Sequence, residues 1–76
     1  MAVRIYTTPS CVYCTKAKNY FRENNISYTE YNVAKDLRRA EEMVKKSGQM
    51  GVPVVDVNGR IIVGFNQSEI ERALHR

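Results

Sequence analysis

The sequence predicts an α/β domain, a mixed four-stranded sheet with helices on both faces in the order β-α-β-α-β-β-α. Three observations predict it. Strand-like runs alternate with runs of helical period along most of the chain. The two strand-like runs with no helix between them are joined by Asn58-Gly59, a strong two-residue hairpin signal of type I′. With 76 residues, 43% of them apolar, the chain is one small domain spanning residues 1–76 with a modest core.

Each element has its own signal. Val3-Arg4-Ile5-Tyr6-Thr7 is the centre of a first strand over 2–7, broken by Thr8-Pro9-Ser10. A first helix is expected over 11–24, with Ser10 as its N-cap, Ala17, Tyr20, Phe21 and Asn24 at helical spacing, and Asn24-Asn25 as its stop. A second strand covers 27–33, where Thr29, Tyr31 and Val33 alternate with Tyr28, Glu30 and Asn32. A second helix covers 36–47; Leu37, Ala40, Met43, Val44 and Ser47 form one stripe, and Gly48 fits the left-handed position that ends it. Strands over 53–57 and 60–64 make the hairpin. A last helix covers 67–75, with Asn66 as cap, Glu69 completing a capping box, and Ile70, Ala73 and Leu74 as its apolar face. The helix between the first two strands makes them parallel; the hairpin makes the last two antiparallel.

The formal charge is +4, and its basic residues lie mostly on two predicted helices among Glu23, Glu41 and Glu42. Such interleaving describes solvated helix faces or a surface that steers acidic partners. Without an arginine-rich run or an aromatic stacking stripe, it does not describe a nucleic-acid binder. The sequence carries neither an N-terminal apolar leader nor a membrane-length apolar run, so the expected compartment is the cytoplasm and no membrane partner is expected. A monomer is expected.

Cys11 and Cys14 are the only cysteines. They close too short a loop to staple the fold. In a reducing compartment an isolated C-x-x-C is catalytic or metal-binding. At a strand-to-helix junction it is the signature of a dithiol that cycles with its disulfide. Zinc wants four ligands, and the other soft candidate is His75 near the end of the chain. The N-terminal cysteine, Cys11, sits where helix-end N–H groups favour a thiolate and is the expected nucleophile, with Lys16 and Lys18 adding positive potential. Cys14, one turn further in, suits the resolving thiol.

Ile5-Tyr6-Thr7-Thr8-Pro9-Ser10-Cys11-Val12-Tyr13-Cys14, then Gly51-Val52-Pro53-Val54-Val55, then Gly64-Phe65-Asn66 together resemble the glutaredoxin family of the thioredoxin-like fold. The resemblance covers nearly the whole chain and is nearest to the small glutaredoxin-like and NrdH-redoxin proteins. It implies a dithiol–disulfide oxidoreductase with no bound cofactor and no metal, reducing disulfide-containing proteins, ribonucleotide reductase among them. Reducing equivalents would come from thioredoxin reductase or from glutathione. A glutathione-dependent glutaredoxin proper is the alternative. A further one is a module holding an iron–sulfur cluster through its first cysteine; such members mostly lack a second cysteine, and Cys14 is present here.

The resemblance also implies roles. Pro53 is expected to be cis and to face the dithiol, with Val52 offering its N–H and C=O to an incoming extended peptide. Tyr13 lines the contact surface. Gly64, Phe65 and Asn66 form a strand-to-helix junction whose N–H groups receive an anion in glutaredoxins. The family's acidic partner for glutathione's amine is replaced by Asn66 and Gln67, and Thr8 stands where the family often has lysine. Val12 and Gly64-Phe65 match NrdH-redoxins; Tyr13 matches glutaredoxins.

Overall fold

The computed structural model describes residues 2–74. Its elements are β1 (Val3–Thr7), α1 (Val12–Glu23), β2 (Thr29–Asn32), α2 (Leu37–Ser47), β3 (Val54–Val57), β4 (Arg60–Val63) and α3 (Gln67–Leu74). The order is the expected one, and each boundary lies within two residues of its expectation; His75 and Met1 lie outside the described residues. The strands make one sheet in the order β2-β1-β3-β4. β1 runs parallel to β2 and antiparallel to β3, and β3 is antiparallel to β4.

Strand alternation sends side chains to two cores. On one face Val3, Ile5, Val55, Val57 and Ile62 pack under Ala17 and Phe21 of α1 and Ile70 and Leu74 of α3. On the other, Tyr6 and Val54 pack under Met43 of α2. Every residue of β3 is therefore buried, Asp56 included. The hairpin turns at Asn58 (φ 52°) and Gly59 (φ 94°), the two positive angles a type I′ turn requires.

Three local expectations are corrected. Ser10 is not the cap of α1: Cys11 is, in an extended conformation, its Sγ accepting the N–H of Cys14 at 3.1 Å. The family of short side-chain acceptors that cap helices is mimicked here by a sulfur. The capping box of α3 is half formed. Asn66 Oδ1 accepts the Glu69 N–H at 3.2 Å, while the Glu69 carboxylate turns away to Arg60 and Arg72, its two stronger, charged partners.

The third correction concerns α2. Its expected apolar stripe does not all face the sheet: Met43 is buried, but Leu37 is 75% exposed. A charged relay is seated on the sheet instead. Lys46 Nζ donates to Asp56 at 2.8 Å and to the Tyr6 hydroxyl at 3.1 Å, and it lies 3.7 Å from Glu42. Glu42 pairs with Arg39, whose guanidinium lies 4.0 Å from the centroid of the Tyr31 ring. A buried carboxylate on β3 must be paired, and satisfying it turns Lys46, Glu42 and Arg39 inward and Leu37 outward.

Candidate functional site

Topology gathers the predicted site at one end of the sheet. β1 ends at Thr7 and leads through Thr8 to Cys11. Because β3 runs antiparallel with Val54 opposite Tyr6, its start at Pro53 lies beside that end. β4 ends opposite Val54, and the Gly64 N–H donates to the Pro53 carbonyl at 2.8 Å. Backbone pairing of distant segments thus brings Thr8, the cysteine pair, Val52-Pro53 and Gly64 to the same end of the sheet.

Cys11 and Cys14 are joined as a disulfide with Cα atoms 5.2 Å apart. Cys11 is half-buried; Cys14 is 1% exposed, under the first turn of α1. The Thr8 carbonyl accepts the Cys11 N–H at 3.3 Å, folding the connecting loop onto the helix start. A partly exposed cysteine at a helix end, backed by a buried one, is the layout thiol–disulfide exchange uses. Val12 and Tyr13, between them, project into solvent.

The lysines expected to raise the potential at Cys11 are both engaged elsewhere. Lys16 lies 4.9 Å from the centroid of the Tyr13 ring. Lys18 pairs with Glu30 at 2.9 Å. Glu30 also accepts the hydroxyl of buried Thr7 at 2.7 Å. These hydrogen bonds, that of Lys18 foremost and then that of Thr7, hold the Glu30 carboxyl below its usual range. The Thr7–Glu30 bond joins β1 to β2 on the α1 face, and sequence alone offers no signal for it.

The Val52–Pro53 bond is cis, as expected. Among the described residues nothing hydrogen-bonds the N–H or C=O of half-buried Val52. Pro53 is buried. Phe65 packs toward α1: its ring lies 5.9 Å from that of Tyr20 and rests on the larger core. Asn66 is exposed and serves as the α3 cap. Sequence reasoning missed Gln49, whose side chain holds the backbone of Gly51 just before Val52. Among the described residues no cluster of three or more His, Cys, Asp or Glu is arranged to hold a metal, and no helix is long and apolar enough to cross a membrane.

The glutaredoxin family model matches residues 3–62. A glutaredoxin-like 8.6 kDa protein in a rubredoxin operon of Clostridium pasteurianum is 45% identical over 74 residues, covering 97% of this chain and 99% of that one. Glutaredoxin 3 of Escherichia coli is 34% identical over 62 residues, 82% of this chain and 75% of that one. Among solved structures, NrdH-redoxin of Escherichia coli superposes with a TM-score of 0.83 at 29% identity, covering 100% of this chain and 97% of that one.

Proposed function

The chain belongs to the glutaredoxin family, and we propose that this thiol–disulfide oxidoreductase reduces disulfides of other proteins in the cytoplasm and is itself re-reduced by thioredoxin reductase. The observation that carries the first half is the asymmetry of its cysteines, Cys11 half-buried at the cap of α1 and Cys14 fully buried one turn behind. In the reduced protein the Cys11 thiolate attacks one sulfur of the target disulfide, and the other leaves as a thiolate that takes up a proton. Cys14 loses its proton and attacks Cys11 Sγ. The second target thiol is released, and two electrons and two protons have passed to the target.

The electron source follows from what the glutathione side of the site lacks. Thr8 supplies no positive charge for a carboxylate, and Asn66-Gln67 supplies no negative charge for an amine. A charge-assisted hydrogen bond is worth about 1.5–3 kcal/mol, so each loss weakens a clamp about 10- to 150-fold. The Escherichia coli NrdH-redoxin that the chain superposes on is described as having a thioredoxin-like activity profile. One observation favours the second reading, a glutathione-dependent glutaredoxin: exposed Tyr13 beside Cys14 is the family's own residue there.

NADPH oxidation with insulin as disulfide substrate separates the two. Turnover with thioredoxin reductase, and weak turnover with glutathione plus glutathione reductase, is the expected result. Saturation at low-millimolar glutathione with no rate from thioredoxin reductase overturns it. Cys11→Ser should abolish both rates, and Cys14→Ser should trap the target as a mixed disulfide. Full insulin turnover by Cys14→Ser refutes the dithiol route.

A further inference from the structure

The segment entering Val52 is fastened to itself by one side chain. Gln49 Oε1 accepts the Gly51 N–H at 2.6 Å, and Gln49 Nε2 donates to the Gly51 carbonyl at 3.1 Å. Both backbone groups of an exposed glycine are thus taken by one amide, as a neighbouring strand would take them. Ser47, in the last turn of α2, anchors the amide: its Oγ accepts from Gln49 Nε2 at 3.3 Å and lies 2.7 Å from the Met43 carbonyl. The closeness also accounts for the glycine. A Cβ at Gly51 would lie 2.7 Å from Gln49 Oε1 and would push the amide off its partners. The clamp stops at Gly51 and leaves the next residue, Val52, with free backbone groups.

We propose that Gln49 is a positioning residue for protein substrates: by fixing the Gly51 peptide it presents the N–H and C=O of Val52, already ordered, to the extended backbone beside a target disulfide. The inference rests on the reading that this protein reduces protein disulfides. A strand-like partner loses affinity when the edge it pairs with must first be ordered. A small disulfide has no backbone to pair and is indifferent to the clamp. Gln49 touches neither sulfur, so it alters docking and leaves the exchange step unchanged.

The test uses Gln49→Ala, Gly51→Ala and the double variant, with insulin and bis(2-hydroxyethyl) disulfide as substrates. Each single variant should raise KM for insulin about five- to tenfold, the effect of losing one or two hydrogen bonds, with kcat within twofold. The small disulfide and the alkylation rate of Cys11 should be unchanged. The double variant should cost no more than either single one, because both remove the same clamp. The backbone amide at position 51 should exchange hydrogen slowly in the wild type and at the rate of a free loop in all three variants. An unchanged KM for insulin overturns the inference. So does an equal loss on both substrates with a lowered melting temperature, which marks a purely structural role. A wild type that turns over the small disulfide but not insulin overturns the reading of function itself, and this inference with it.

Discussion

On the α1–α3 side of the sheet Ile5, Phe21, Val55 and Ile70 are completely buried, and Phe21 also lies against Tyr28 with ring centroids 5.3 Å apart. On the α2 side the buried apolar set is Tyr6, Met43 and Val54, and the rest of the contact is the chain of charges from Asp56 through Lys46 and Glu42 to Arg39. One face is held mainly by removal of apolar surface from water. The other depends on the ionisation of a buried carboxylate and its partner. The cysteine helix stands on the first face and the Gln49 clamp grows from the second, so the site joins a wall held mainly by apolar burial to one held largely by charge.

That contrast is broken most strongly at Phe21. Phe21→Ala should destabilise by about 3–5 kcal/mol, at the same value across neutral and acid pH, as read from urea midpoints. Asp56→Asn should cost somewhat less, up to about 3 kcal/mol, because Lys46 keeps Glu42 and some water when its partner goes. Its signature is the pH dependence. Burial pushes the Asp56 carboxyl up, but Lys46 and the Gly59 N–H draw it down further, and the net shift is downward. The stabilisation is therefore complete above the ordinary carboxylate range, near pH 4, and fades as pH falls through the lower folded value. Lys46, raised chiefly by Asp56, loses its share only as pH climbs beyond the ordinary lysine range. The gap between wild type and Asp56→Asn should close in acid; a gap constant from pH 7 to pH 3 would contradict the ionic account. The smallest effect is expected at Leu37. Leu37→Lys should change stability by no more than about 0.5 kcal/mol, since the side chain is already in water. A loss like that of a core leucine would mean that α2 sits otherwise.

The same two faces explain what could be read from the sequence. The order of elements, the hairpin at Asn58-Gly59, the left-handed end of α2 at Gly48 (φ 76°) and the C-x-x-C junction are local signals, and each survives in the structure. The stripe of α2 is also a local signal, but it is outweighed by Asp56, a residue nineteen positions after the start of that helix on a strand whose other members are valines. Period alone locates the apolar side of a helix; it does not reveal a buried acid that asks for a lysine. Pro53 and Gly64 were placed at the site by family resemblance, and their meeting is made by the antiparallel pairing of β3 with β1 and β4. Thr7–Glu30 and Gln49–Gly51 are side-chain bonds with no periodic trace. A glutamine two residues before a glycine, itself two before proline, was the one hint of the clamp.

Cys11 fills a position at which evolution for stability alone would choose another residue. Its sulfur does the work of a capping oxygen for the Cys14 N–H, and sulfur is the poorer acceptor. Redox chemistry and helix initiation compete for one side chain, and chemistry has taken it. Under the proposed route, replacing Cys11 with serine should abolish exchange yet improve the cap, and at mildly acid pH, with Cys11 a neutral thiol, reduced wild type should melt below Cys11→Ser by the equivalent of about 0.5 kcal/mol. An ancestor freed from electron transfer, or a designer wanting only a small rigid domain, would drift toward serine at this position.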